Sequence, residues 1–204
     1  MTADGHRSRR ARWDERYREG DWVDTRGPAE VLVRAVPWLP ARGRALDLAC
    51  GAGRNALFLA ERGLRVVAVD LSLEGLRHTV RRARSRGLPV LPVHADLSRF
   101  AVRSGAFDLV VNTHFLLRST FPLITDALAP GGLLVFETWC VDEIDLLGGD
   151  IHREYALEHR ELARAFSGFE VLVAEEGVVP RPEGDRGLAR LIARKPEGPA
   201  PSGA

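Results

Sequence analysis

Lysine is almost missing from this chain: Lys195 is the only one, and nearly all of the positive charge is arginine. With a formal net charge of +1 the composition gives no argument for a nucleic-acid partner, and the arginine bias reads as a coding preference. Cysteine is scarce too. Cys50 and Cys140 stand far apart without metal-ligand spacing, so no disulfide, no zinc and no other metal are expected in a reducing compartment. No stretch approaches the ~20 uncharged apolar residues that a membrane helix needs, and no internal repeat is visible. The basic segment His6 to Arg12 is not followed by an apolar core with a small-residue cleavage site, so a secretory signal is not expected and a cytoplasmic, membrane-free protein is. The 204 residues are 45% apolar and 28% charged, values that suit one soluble globular domain.

What is present is an alternation of apolar runs with helical patterns. Ala45 to Ala49, Arg65 to Asp70, Pro89 to His94, Phe107 to Asn112 and Leu133 to Thr138 are continuous rather than alternating, as strands buried on both faces should be. Between them, helices are expected over Arg54 to Arg62 and over Leu73 to Arg84. The second carries the stripe Leu73, Leu76, Val80, Ala83 behind Ser72 as N-cap, and places Arg77, Arg81, Arg82, Arg84 and Arg86 on a solvated face. Phe121, Ile124 and Leu128 repeat the pattern behind Ser119 and Thr120. Phe169 to Ala174 and Leu188 to Ala193 are joined by the turn-rich segment Pro180 to Gly187, too short for a crossover helix, so these two strands should be antiparallel neighbours. The expected architecture is α/β, a mostly parallel seven-stranded Rossmann-like sheet with helices on both faces and an antiparallel C-terminal hairpin, over residues 41–195. Residues 1–40, punctuated by Trp13, Tyr17 and Trp22, should form a helix and loop covering a ligand site, and residues 196–204 a disordered tail.

The segment Ala45-Leu46-Asp47-Leu48-Ala49-Cys50-Gly51-Ala52-Gly53-Arg54-Asn55 runs from an apolar strand through two glycines into a helical pattern. Glycine lets backbone approach a ligand, and a helix N-terminus offers unpaired N–H groups. Gly51 to Ala56 also fits the dinucleotide form G-x-G-x-x-A, with Asp70 close to the expected offset for a ribose-binding acid, so a nicotinamide oxidoreductase is the competing reading. Asp47 tips the balance. An acid in the strand ahead of the glycines gains nothing from a pyrophosphate, whereas a cofactor with a cationic amino-acid end would benefit. Asp96, just after the third run, is placed to accept from an adenine amino group.

These residues resemble those of the class I S-adenosylmethionine-dependent methyltransferases over roughly Trp13 to Lys195. Leu46 to Gly53 looks like that family's first motif, with Ala49 where glycine is usual; Asp70 matches its ribose acid, Asp96 its adenine-side acid and Phe107 to Val111 its fourth strand. Within the family the chain is most similar to the tellurite-resistance and thiopurine-type small-molecule enzymes, through Trp13-Asp14-Glu15-Arg16-Tyr17, Gly53-Arg54-Asn55 and Phe115-Leu116-Leu117-Arg118. Tellurite enzymes carry a His-Arg pair between the last two strands. Here that segment has Arg181 and Arg186 but no histidine.

The resemblance implies S-adenosyl-L-methionine as cofactor, held by Trp13, Tyr17, Asp47, Ala49, Cys50, Gly51, Gly53, Arg54, Asn55, Asp70, Leu71, Asp96, Leu97 and Asn112. It implies methyl transfer to a small-molecule acceptor, with a thiol or metalloid oxyanion favoured as a soft nucleophile needing no base. The alternatives are the oxidoreductase and a catalytically silent S-adenosylmethionine-binding module. His114, on the carboxyl edge of the fourth strand, is the first base to test; Arg118, Trp139 and Arg153 are candidates for the acceptor pocket, with His152 and Tyr155 nearby. A monomer is favoured. Asp70→Ala is expected to weaken cofactor binding at least tenfold with the fold intact.

Overall fold

The computed structural model describes residues 3–20, 27–181 and 184–198; Trp22, Pro182, Glu183 and residues 199–204, to which parts of the sequence reading refer, lie outside them. Helix α1 (Ala3–Glu19) and the short α2 (Glu30–Arg34) precede β1 (Gly43–Leu48). Then follow α3 (Arg54–Glu61), β2 (Leu64–Asp70), α4 (Leu73–Ser85), β3 (Val90–His94), β4 (Phe107–Thr113), α5 (Thr120–Ala127) and β5 (Leu128–Trp139). Two short helices, α6 (Asp142–Asp145) and α7 (Glu161–Ala165), lead into β6 (Glu170–Val179) and β7 (Arg186–Arg194).

The seven strands form one sheet in the order β3-β2-β1-β4-β5-β7-β6. The first five are parallel, and β7 runs antiparallel to both β5 and β6, as the apolar runs imply. Because side chains alternate across a strand, Leu46, Val110 and Leu134 enter one buried cluster with Ile124 and Phe166. Their neighbours Ala45, Leu109, Val111 and Val135 enter another with Leu32 and Leu59 on the opposite face. Two buried faces are what the continuous apolar runs required. Chain direction around the sheet reverses between β1 and β4, and open α/β sheets bind ligands in the crevice outside the strand ends at such a switch point.

Several boundaries move. The fifth strand begins at Leu128 rather than Leu133, so that Pro130-Gly131-Gly132 lies within β5, where the register slips between the pairs Phe107–Leu128 and Leu109–Leu133. Gly131 has φ +74°, a left-handed conformation that glycine adopts without strain. Arg186 and Gly187 belong to β7 rather than to the turn. Ser72 caps α4 as expected, accepting from Gly75 N–H at 3.0 Å, but Leu73 is exposed rather than part of the buried stripe. Lys195 points its ammonium at the C-terminal end of α5, donating to the carbonyls of Thr125 and Leu128 at 2.7 Å each, the end of a helix where a cation is favoured. Among the described residues no helix is long and apolar enough to cross a membrane.

Candidate functional site

The chain leaves β1 at Leu48 and must turn within a few residues into α3. Three of those residues take left-handed backbone conformations: Ala49 (φ +51°), Gly51 (φ +56°) and Gly53 (φ +81°). Gly53 is the N-cap of α3, and a Cβ there would lie 2.6 Å from the Thr79 side chain, so glycine is required by both conformation and space. The turn is clamped from α4, where Thr79 Oγ1 donates to Gly51 O at 3.0 Å and Arg82 donates to Ala52 O at 3.0 Å. Ala49 holds its conformation without glycine's freedom, a strain on the order of 1 kcal/mol. Ala49→Gly is therefore expected to raise stability by about 0.5 kcal/mol, the relief being partly offset by a more flexible unfolded chain. A urea midpoint that moves upward at constant m would show it; an unchanged or lower midpoint would count against strain at this residue.

Two carboxylates flank the turn. Asp70, at the end of β2, accepts from Gly51 N–H and from Ser72 N–H, each at 2.7 Å, and so ties the turn to the start of α4. Burial pushes its carboxyl above the usual range despite those backbone hydrogen bonds. Asp47, in β1, is 1% exposed. Its carboxyl is pushed up to about 7 by burial, against the pull of the Arg54 guanidinium and a hydrogen bond from Ala56 N–H in the first turn of α3. The other oxygen, Oδ2, is buried with no hydrogen-bond partner. Cys50 is buried and its thiol is pushed well up by desolvation, which makes it a packing residue rather than a nucleophile.

Helix α1 lies across α4. Asp14 Oδ1 accepts from Ser72 Oγ at 2.8 Å and from Glu74 N–H at 3.1 Å. Burial raises the Asp14 carboxyl, but these hydrogen bonds outweigh it and hold the group below its ordinary value. This brings Tyr17 over the turn: its hydroxyl reaches the space that a Cβ on Gly51 would fill, and its ring lies beside Gly75. Burial, with Asp70 nearby, pushes the Tyr17 phenol upward, so it stays neutral. Trp13 stacks on Tyr17, ring centroids 6.2 Å apart.

At the carboxyl edge of β4 the chain turns sharply at His114, which has φ +53° and donates its N–H to Glu137 O at 2.8 Å. Its imidazole lies 5.4 Å from the Trp139 ring and its Nε2 lies 3.6 Å from Glu137 Oε1. Glu137 is wholly buried, and its other oxygen, Oε2, accepts from Arg190 Nε at 2.6 Å and from Arg181 at 3.1 Å. Neither Glu137 nor Arg190 was among the residues singled out from the sequence. A signal was available: each is a lone charge inside an apolar run, Phe136-Glu137-Thr138 and Ala189-Arg190-Leu191, and they stand opposite one another in the β5–β7 register.

Other anticipated residues have local duties. Asn55 accepts from Ala29 N–H at 2.9 Å and donates to Thr113 Oγ1 at 2.8 Å, joining α2 and β4 to the glycine turn. The Asp96 carboxylate accepts from Ser98 N–H and Ser98 Oγ, organising the turn in which Leu97 is buried. Leu71 O contacts His94 Nε2 at 3.0 Å. Asn112 donates to Phe115 O at 2.8 Å and keeps a buried Oδ1 without a hydrogen-bond partner. Arg118 grips Glu161 through two nitrogens at 2.6 and 2.9 Å and also donates to Glu154 O and Ala156 O. Arg153, 54% exposed, pairs with Glu158 and Asp145. Arg118 and Arg153, the two arginines considered for the acceptor pocket, thus have their guanidiniums engaged in fastening the segment between β5 and α7.

Residues 45–132 match the model of a methyltransferase domain. Among curated proteins the chain is 31% identical over 135 residues to the malonyl-(acyl-carrier protein) O-methyltransferase of Enterobacter lignolyticus, covering 63% of this chain and 51% of that one. The chain spans about half the length of the curated relatives it matches. Among solved structures it resembles TehB from Haemophilus influenzae, with TM-score 0.70 and 20% identity over 89% of this chain and 67% of that one. It also resembles the 1,6-didemethyltoxoflavin N1-methyltransferase of Burkholderia thailandensis, solved with bound 1,6-didemethyltoxoflavin and S-adenosylhomocysteine, with TM-score 0.68 and 21% identity over 97% and 92% of the two chains.

Proposed function

We propose that this chain, which carries a methyltransferase domain over residues 45–132 and has the fold of the class I S-adenosylmethionine-dependent methyltransferases, transfers a methyl group from S-adenosylmethionine to a small molecule. One observation carries the reading: the buried, partnerless Oδ2 of Asp47 beneath the glycine turn. A buried carboxylate oxygen without a donor is costly, and the amino group of the cofactor's methionine end is a donor of the matching charge. A pyrophosphate at the same turn would meet negative charge instead. The remaining residues fit the same ligand. Asp70 stands at the tip of β2, each oxygen holding one backbone N–H and retaining lone pairs for ribose hydroxyls. Asp96 and Leu97 would bound the adenine, and Tyr17 with Trp13 would cover the ligand from α1.

S-adenosylmethionine supplies an electrophilic methyl group on a sulfonium, so the protein's part is alignment and exclusion of water. The clamped turn fixes the donor end, and the edge formed by Thr113, His114 and Trp139 faces the acceptor. Isothermal titration of the folded chain with S-adenosylhomocysteine should show binding at one site. A flat titration would sink the proposal.

A further inference from the structure

Glu137 holds His114 through its backbone carbonyl, which accepts the His114 N–H, and places a carboxylate oxygen 3.6 Å from Nε2. That oxygen, Oε1, is buried and has no hydrogen-bond partner. Behind it a charged cluster spans four elements. Arg190 and Arg181 hold Oε2; Glu30 at the start of α2 answers Arg181 at 2.7 Å and Arg190 at 3.5 Å; Glu175 on β6 answers Arg190 at 3.4 Å and also pairs with Arg34. Among the described residues this cluster holds three guanidiniums and three carboxylates, and its unsatisfied feature toward the acceptor edge is one carboxylate oxygen aimed at an imidazole. A buried acceptor of this kind is stabilised by a proton donor, and a modest turn of the ring closes 3.6 Å to a hydrogen bond. Three of the described arginines are already engaged: Arg118 is tied to Glu161, Arg153 to Glu158 and Asp145, and Arg181 to Glu137 and Glu30.

We propose that Glu137 is a positioning residue that fixes His114 as the Nε2–H tautomer, leaving the basic lone pair on Nδ1, and that the acceptor is a neutral molecule methylated at an O–H or N–H. This rests on the methyltransferase reading above. In the step, the acceptor heteroatom forms a bond to the methyl carbon, the carbon–sulfur bond breaks with its electron pair going to sulfur, and the acceptor proton passes to His114 Nδ1. Glu137 Oε1, beside Nε2, stabilises the imidazolium so formed. The Trp139 ring beside the imidazole gives a planar acceptor an apolar wall. The acceptor class differs from the soft, proton-free nucleophile that the sequence favoured.

Histidine 15N NMR on the full chain tests the positioning role without cofactor or acceptor. The wild type should show His114 as the Nε2–H tautomer, and Glu137→Gln should lower its titration midpoint by about one pH unit. An Nδ1–H tautomer in the wild type overturns the proposal even if Glu137→Gln, which strands Arg190, fails to fold. For the acceptor class, 2-naphthol and benzimidazole serve as O–H and N–H probes, with iodide and tellurite as proton-free anions. Turnover of the first pair should fall at least a hundredfold in His114→Gln, while S-adenosylhomocysteine affinity read by calorimetry is retained. Methylation of iodide or tellurite at a rate indifferent to His114→Gln overturns it. Loss of S-adenosylhomocysteine binding in the wild type would instead remove the underlying methyltransferase reading, which the tautomer measurement does not touch.

Discussion

Asp70→Ala is expected to lower stability by about 3 kcal/mol and to weaken S-adenosylhomocysteine binding by more than tenfold. The sequence alone suggested that this substitution would spare the fold, because Asp70 looked like a ligand residue at a strand end. In the structure both carboxylate oxygens hold backbone N–H groups, those of Gly51 and Ser72. Removing the side chain leaves two buried donors unsatisfied, and such a loss costs ~1–3 kcal/mol per group. The turn proposed to meet the cofactor is also released, since Gly51 N–H is its direct tie to the end of β2. Chemical denaturation and titration calorimetry separate the two effects. The structural role fails if Asp70→Ala unfolds at the wild-type denaturant concentration, and the ribose contact fails if affinity is unchanged in protein shown to be folded. Asp70→Asn, which retains an acceptor oxygen, should fall between the two in stability.

Cofactor affinity should climb with pH and then level off near neutrality, because Asp47 must be ionised to meet an ammonium. Burial raises its carboxyl to about 7 in the empty fold, against roughly 4 in an unfolded chain. Below pH ~4 both states carry the neutral acid and its burial is harmless. As pH rises toward 7 the unfolded chain gives up the proton while the folded chain keeps it, so this group's contribution to stability declines by a few kcal/mol and is constant above that. Binding of a cation reverses the preference and expels the proton. One proton released allows up to about a tenfold gain in affinity per pH unit below 7 and none above. Titrations with S-adenosylhomocysteine at pH 5 to 8, in buffers of different ionisation enthalpy, would reveal both the slope and the released proton. Asp47→Asn should flatten the profile, lower affinity by about tenfold at pH 7.5, and stabilise the empty protein at the same pH. A slope unchanged in Asp47→Asn would assign the proton to another group.

The fold was legible because strands buried on both faces produce apolar runs that interruption by Gly, Pro and Ser punctuates clearly. Where a strand has a solvated face the signal weakens, and β6 is the example: Glu170 to Val179 is largely exposed and carries Glu175-Glu176 in its middle, so only Phe169 to Ala174 stood out. The glycine turn, Asp47 and Asp70 could be located because backbone conformation and strand ends leave marks in sequence. Glu137 left only a weak mark, a lone charge inside an apolar run, because its role depends on β7 entering the sheet beside β5, a pairing across more than fifty residues that local pattern does not encode. Asn55 and Arg118 illustrate the converse. Both lie in motifs that suggested ligand contact, and their side chains also join separate elements, a use that depends on tertiary neighbours and leaves no local mark.

The place of β7 has a consequence for assembly. Of the seven strands it comes latest in the sequence, yet it lies between β5 and β6 rather than at an edge. β6 pairs with β7 alone, so when β6 has been synthesised it has no partner, and β5 exposes an open edge to other chains. The sheet therefore closes only after residue 194 has left the ribosome tunnel, and the parallel half must wait with its border unprotected. Such delay favours intermolecular strand pairing. Deletions reaching into Arg186–Arg194 should remove two strands at once, appearing as aggregation during synthesis rather than as a slightly less stable enzyme.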